Sequence, residues 1–244
     1  MSAPLPPTSP DTYALAEQLS KRIDSDGLII GLTGSVASGK STLAGQLKAA
    51  FDESHKTETV STDGFLFPNA VLEERNLMLR KGFPESYDVD AIADALTRLR
   101  TGSADFPGYS HVTYDIDPSL QRTISRPDVF ILEGLGFPAP SPHPRDTHEP
   151  DVFIYLDADE DHLLEWYLER FERYWIAAKD DPTSFYANFT HMTQPEMVTF
   201  ATSVWERINL PNLRNHISPL KSTADIVLKK TRDHTTTIAT NTLV

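Results

Sequence analysis

Short apolar runs separated by longer amphipathic stretches set the plan of the chain. Leu28-Ile29-Ile30-Gly31-Leu32-Thr33, Asp128–Gly134 and Asp151–Asp157 are brief and strand-like, the last two of the buried type. Glu58–Phe65 is a β-prone run that ends in Asp63-Gly64, Tyr109–Asp115 alternates as a strand does, and Ala224–Lys229 is a short final strand. Helical spacing appears between them. Tyr13, Leu15, Ala16, Leu19 and Ile23 mark a first helix, which Asp11 or Thr12 can cap. Thr42–Phe51 reads as a second, and Pro68–Arg80 has helical character. Val89–Arg100 turns Ile92, Leu96 and Leu99 inward and stops at Gly102. A long helix from about Asp159 to Ala178 carries Leu163, Leu164, Tyr167, Phe171 and Tyr174 on one broad face and breaks at Asp181-Pro182; Pro195–Ile208 is helical again. Lys81–Asp88, Phe137–Pro150 and Asn209–Ser222 read as loops from their glycine, proline and asparagine, and the threonine-rich tail from Thr231 reads as disordered.

Strands alternating with helices predict an α/β fold, a mostly parallel sheet with helices on both faces. Residues 1–27 are the N-terminal lead-in and helix, with Met1–Pro10 a flexible lead-in; 28–232 form one domain with a lid helix near 159–178; 233–244 are a polar tail. The length of 244 residues suits one such domain. The net charge of -13 offers nothing global to nucleic acid or an anionic membrane, and no apolar run reaches the length of a membrane span. The N-terminus has no basic stretch leading into an apolar core, so it is not a secretory signal. With no cysteine, disulfides, thiolate metal sites and cysteine nucleophiles are excluded, which fits a cytoplasmic protein.

The chemistry starts at Gly34-Ser35-Val36-Ala37-Ser38-Gly39-Lys40-Ser41, which fits G-x-x-x-x-G-K-[ST] between a strand and a helix that opens at Thr42. That context makes a phosphate-binding loop for ATP. Loop amides and the helix N-terminus face the phosphates, Lys40 reaches the β- and γ-phosphates, and the Ser41 hydroxyl joins the shell of Mg²⁺. Asp63 ends a strand. There it either takes a proton from an alcohol attacking the γ-phosphate, or holds Mg²⁺ through water, or supports the turn before Gly64. Glu133 ends another strand, as a second acidic motif reaching Mg²⁺ through water or as a solvent-facing carboxylate. His111 is a hydrogen-bonding group for substrate or phosphate, or a structural histidine. Tyr167, Arg170 and Tyr174 are three and four apart and converge on one helix face, with Arg173 following. The arginines either stabilise a transferring phosphoryl group or pair on the surface with Glu165, Glu169 and Glu172. His143 and His148 match no metal-ligand spacing.

From about Leu28 to His234 the chain resembles the bacterial type I pantothenate kinases, within the phosphoribulokinase/uridine kinase group. The resemblance rests on GSVASGKST, STDGFLFPN, LMLRKGFPESYD, YSHVTYD, ILEGL, WYLERF and IN-x-x-NL, in that order. It implies a P-loop kinase fold and ATP-dependent phosphorylation of the primary hydroxyl of pantothenate, the first step towards coenzyme A. It further implies a homodimer. By position, Asp63 matches the family's catalytic acid, and Lys40 and Ser41 its phosphate and magnesium residues. Tyr109, His111 and Tyr114 match residues lining the pantothenate and coenzyme A pocket. Tyr167 matches a substrate-contacting tyrosine, Arg170 a phosphate-contacting arginine, Phe171 and Tyr174 aromatics around the pantetheine arm, and His234 an adenine-stacking histidine.

This sequence also departs from the family. The segment before Leu28 is shorter than the family's extension, which supplies part of the adenine site, and the loop after Gly134 is shorter too. Gly136 stands where the family has asparagine. Gly45 replaces an arginine that meets a coenzyme A phosphate, so feedback inhibition by coenzyme A is expected to be weak or absent. His216 replaces the amide that holds pantothenate, with Asn215 beside it. Two other readings therefore stand: a kinase of the same build acting on another small alcohol, such as a nucleoside or hydroxy acid, or a nucleotide sensor without turnover. The chain has no N-K-x-D string for guanine.

Overall fold

The computed structural model describes residues 10–143 and 145–243. The lead-in read over Met1–Pro10 lies outside them except for Pro10, where the first helix begins. In chain order the main elements are α1 (Pro10–Ser20), β1 (Leu28–Gly34), α2 (Lys40–Phe51), β2 (Thr57–Ser61), α3 (Asn69–Glu74) and α4 (Val89–Thr101). Then come β3 (Ser103–Phe106), β4 (Tyr109–Ser110), β5 (Asp115–Ile116), β6 (Arg122–Ser125), β7 (Val129–Gly134) and β8 (Val152–Asp157). The chain continues through α5 (Glu160–Ala177), α6 (Gln194–Val204), β9 (Ile226–Lys230) and β10 (Thr236–Asn241).

The six-stranded sheet runs β10-β9-β8-β1-β7-β2, all parallel except the β9–β10 pair. Successive residues of each central strand face opposite layers. Ile30, Leu32, Val129, Ile131, Val152 and Ile154 pack under α1 and α2 against Leu15, Leu19, Leu43, Leu47 and Phe51. Ile29, Phe130, Leu132, Phe153 and Tyr155 face the other way, against α4, α5 and α6 through Leu96, Leu163, Trp166, Met197 and Trp205. Both faces are covered, which is why the runs read as continuously apolar. Each such fully buried side chain contributes about 2 kcal/mol.

The register fixes where the chemistry lies. Thr33 pairs with Gly134, and Ser61 with Glu133, so β1, β7 and β2 end side by side along one edge. Ligands of open α/β sheets sit beyond such strand ends. β7 intervenes between β1 and β2, and the carboxylate it carries stands between the phosphate loop and Asp63.

Three expectations are corrected. Tyr109–Asp115 is not one strand but a small hairpin of β4 and β5. Its turn is tightened by the Thr113 amide donating to Ser110 Oγ (3.2 Å), and Tyr114 sits at φ 57. Asn209–Ser222 is not a loop: α6 continues through π turns at Trp205–Asn209 and Leu213–Ile217 into a 3₁₀ segment ending at Thr223. Pro211 lacks an amide hydrogen, so the ladder widens around it. The widened turns are spent on inward-facing asparagines, which is why the composition looks loop-like. The threonine-rich tail is not disordered: Thr236–Asn241 pairs antiparallel with β9, using the strand preference of Thr236, Thr237, Ile238 and Thr240. The β3–β6 hairpin has no counterpart in the sequence reading.

The Phe137–Pro150 loop is held down from two sides: Arg100 of α4 donates to Thr147 O (2.9 Å) and Glu149 O (2.8 Å). Arg145 grips the buried Asp225 with both terminal nitrogens (2.8 and 3.0 Å), and Asp225 also accepts from the Phe153 amide and lies 2.9 Å from His143 Nε2. This ties the loop to the start of β9.

Candidate active site

The phosphate loop leaves β1 at Gly34 and enters α2 at Lys40. Gly39 turns it at φ 94, a backbone conformation that favours glycine. Lys230, at the end of β9, donates to Ser38 O (2.9 Å) and lies over the Trp166 ring (4.6 Å), bracing the loop from outside. Val36 and Ala37 pack against the apolar core under α5. Lys40 folds back to donate to Gly34 O (3.1 Å) and Ser35 O (2.8 Å). Burial holds its ammonium below the ordinary value. The hydroxyl oxygens of Ser35 and Ser38 are buried and have no hydrogen-bond partner among the described residues. Buried polar atoms without partners are rare, and here they sit in a cradle shaped for an anion. The donor set therefore fits the phosphates of a nucleotide.

Ser41 Oγ donates to Glu133 Oε1 at 2.7 Å. Burial pushes the Glu133 carboxyl up, opposed by Lys40 and by the Ser41 hydrogen bond. A hydroxyl and a carboxylate meeting at the mouth of the loop are hard oxygen donors of the kind Mg²⁺ takes. Thr42 follows in the first turn of α2.

Asp63 stands on a short 3₁₀ turn after β2, with its amide donating to Ser61 Oγ (3.2 Å). Thr62, fully buried, accepts from the Leu135 amide (3.1 Å), so the Asp63 turn is tied to the segment that follows Glu133. The charge of Asp63 is felt by Lys40, Lys81, Glu133, His111, Tyr109 and Tyr114. Arg170, on α5, acts on Lys40, Glu133, His111 and Tyr114. Its charge is thus felt at the phosphate loop and at the β4–β5 hairpin. Two of the surface acids find other partners: Glu165 pairs with Arg232 (2.6 Å) and Glu172 accepts from Gln194; Arg173 is exposed.

A cleft of about 190 Å³ opens beside Asp63, lined by Ser61, Gly64, Tyr109, His111 and Arg122 among others. The β4–β5 hairpin forms its wall: Tyr109 meets His111 at 5.2 Å and Tyr114 at 6.1 Å, and Tyr114 stacks on Phe185 at 4.4 Å. Packed protein lowers the His111 imidazole, with Arg170 and Lys81 adding to the effect and Asp63 opposing it. Phe171 lies against Tyr186, Phe189 and Phe200, and Tyr174 stacks on Tyr186 at 5.0 Å. Tyr167 packs on Trp205 and bonds Asn209, the first of the inward asparagines. His234 stacks on Trp166 at 5.0 Å, beside Lys230 and so on the phosphate-loop side.

His216 joins a different set. Its ring meets Phe83 at 5.6 Å, and its charge acts on Glu85. The neighbouring Asn215 is exposed. One turn earlier, Asn212 donates to Gly82 O (2.8 Å) and keeps a buried Oδ1 with no hydrogen-bond partner among the described residues.

Two residues that the sequence reading left in a loop prove central. Lys81 donates to Asn69 Oδ1 (2.6 Å) and Tyr114 O (2.5 Å), lies over the Tyr114 ring, and is lowered by burial to about 8. Tyr87 donates its hydroxyl to Asp63 Oδ1 at 3.2 Å. Both lie in the string LMLRKGFPESYD. A loop that carries buried polar residues is the available signal, since loops held on a rigid scaffold carry function.

The phosphoribulokinase / uridine kinase family model matches residues 29–174. The pantothenate kinase of Streptococcus suis (strain 05ZYH33) is 44% identical over 223 residues, 88% of this chain and 72% of that protein. That of Rhizobium rhizogenes is 41% identical over 237 residues, 90% of this chain and 72% of that protein. Two solved structures share the fold at low identity. The D-glycerate 3-kinase from Cryptococcus neoformans var. grubii has 13% identity and a TM-score of 0.59, covering 93% of this chain and 97% of that one. The phosphoribulokinase from Rhodobacter spheroides has 18% identity and a TM-score of 0.55, covering 85% and 71%. The chain belongs to the phosphoribulokinase / uridine kinase family and, with the bacterial proteins it matches over most of its length, to the pantothenate kinases within it.

Proposed function

We propose that this protein transfers the γ-phosphoryl group of ATP to the primary hydroxyl of pantothenate, with Asp63 as the general base. The observation that carries the reading is that Asp63 lines a cleft with Tyr109 and His111, just after the strand next to the one whose Glu133 accepts from Ser41 of the phosphate loop. The pantothenate kinases at 41–44% identity supply the acceptor.

Loop amides, Ser35, Ser38 and Lys40 hold the nucleotide phosphates, and Trp166 with His234 offers an aromatic surface on the same side. Ser41 and Glu133 would hold Mg²⁺, which would neutralise phosphate charge. Asp63 accepts the proton of the acceptor hydroxyl as its oxygen bonds to the γ-phosphorus. The bond from that phosphorus to the bridging oxygen breaks, and ADP leaves with the electron pair. Lys40 and Arg170 stabilise the charge that develops on the transferring group. Tyr109, His111, Tyr114 and Tyr167 orient the acceptor, Lys81 places a cation beside it, and Phe171 and Tyr174 line the arm beyond. α5 closes over the site and excludes water. His216, beside Phe83, adds a further contact for the acceptor.

The fold also carries kinases of other small alcohols, so the test is a panel. Purified protein with MgATP is given pantothenate, uridine, glycerate or pantetheine, and phosphorylated product is identified by mass. Pantothenate is expected to be preferred at least about a hundredfold in kcat/KM, because a polar site rejects acceptors that leave its groups unpaired. Turnover on another alcohol but not on pantothenate contradicts the reading. A cytoplasmic homodimer, weakly inhibited by coenzyme A because Gly45 offers no side chain, completes the proposal. Light scattering and inhibition assays check those two parts.

A further inference from the structure

Tyr87 is fixed to the Asp63 turn at several points. Leu66 and Tyr87 form an antiparallel bridge, the Asp88 amide donates to Phe65 O (2.8 Å), and the Phe67 amide donates to Ser86 O (2.9 Å). The segment that follows α3 therefore returns alongside Asp63-Gly64-Phe65 and carries the phenol back to the carboxylate. Tyr87 is 4% exposed, and its hydroxyl reaches Asp63 Oδ1 at 3.2 Å. Burial raises the phenol well above its ordinary value, so it stays protonated and donates to the carboxylate.

The ring has a seat of its own. Gly136 lies beneath it, and a Cβ built there falls 2.6 Å from Tyr87 Cδ1 and 2.9 Å from Cγ. No larger residue fits without moving the ring. The backbone around Gly136 is in turn tied to the Asp63 turn by the Leu135 amide donating to Thr62 Oγ1. Position 136 thus sets where the Tyr87 ring lies, and the ring sets one oxygen of Asp63.

We infer that Tyr87, seated by Gly136, is a positioning residue for the reaction: it holds Asp63 Oδ1 so that Oδ2 faces the acceptor hydroxyl and takes its proton. This rests on the reading of Asp63 as the base. The same carboxylate also faces Lys40 from the phosphate loop, Glu133 from β7, Lys81 from the 81–88 segment, and His111, Tyr109 and Tyr114 from the β4–β5 hairpin.

The test uses the full chain with Tyr87→Phe, Gly136→Ala, the double variant and Asp63→Asn, assayed for kcat and for KM of both substrates. Tyr87→Phe keeps the ring and removes the donor. It is expected to lower kcat about tenfold while KM for both substrates stays within about twofold. Gly136→Ala, with Tyr87 intact, is expected to lower kcat in the same way. The double variant should be little worse than either single one, since both act through one contact. Thermal unfolding of every variant separates this from a general loss of fold. Tyr87→Phe with wild-type kcat, or with a lower melting temperature as its only change, overturns the inference and leaves the base reading standing. Asp63→Asn at wild-type kcat overturns the base reading and takes this inference with it.

Discussion

Single side chains decide the chemistry, and several can be tested alone. Lys81 is a buried cation at about 8, lowered by desolvation. A lowered value means that its charge is present below that pH and lost above it. The kcat profile is therefore expected to fall on the alkaline side near pH 8, and Lys81→Arg, which stays charged, to move that limb upward. A limb unchanged by Lys81→Arg contradicts the assignment. Glu133 and Ser41 meet at 2.7 Å. Glu133→Gln is expected to raise the Mg²⁺ needed for half-maximal rate about tenfold, read from a metal titration at saturating substrates. Arg170 and Arg173 give an internal contrast, being three apart on one helix. Arg170→Met is expected to lower kcat about a hundredfold and Arg173→Ala to leave it within about twofold, because only Arg170 acts on the loop.

The elements show which parts of the site can be read from sequence. The phosphate loop is legible because its spacing and its strand-loop-helix context are both local. Asp63 and Glu133 are legible as acids at strand ends, but their neighbourhood is not: β7 inserts between β1 and β2, and only the sheet order places Glu133 between the loop and Asp63. Lys81 and Tyr87 escape a reading by periodicity because their segment has none. They reach the site through the bridge between Leu66 and Tyr87, a pairing that no local pattern announces. The two long misreadings share a cause. Asn209, Asn212 and Pro211 suggest a loop, and the threonines of β10 suggest disorder, yet each segment is ordered by partners far away in the chain: Tyr167 and Gly82 for the asparagines, β9 for the tail. Amide exchange tests this directly. Thr237 and Ile238 are expected to exchange slowly with β9, and fast exchange there contradicts the strand.

At the scale of the whole molecule, the sheet is a rigid platform whose two covered faces leave the C-terminal strand ends for function. Its far side is fastened by Asp225 and Arg145, both about 95% buried as side chains. Asp225→Ala leaves a guanidinium without its partner and is expected to cost about 3–5 kcal/mol in chemical denaturation. A loss under 1 kcal/mol contradicts that role. The platform serves one act, the removal of a proton from an alcohol beside a bound triphosphate. Single-turnover transfer from ATP to pantothenate by Asp63→Asn, with binding of both substrates measured on the same sample, tests this most directly. Binding within about threefold of the parent and a rate lower by at least about a hundredfold is the predicted result. A rate close to the parent's, with both substrates bound, contradicts the account.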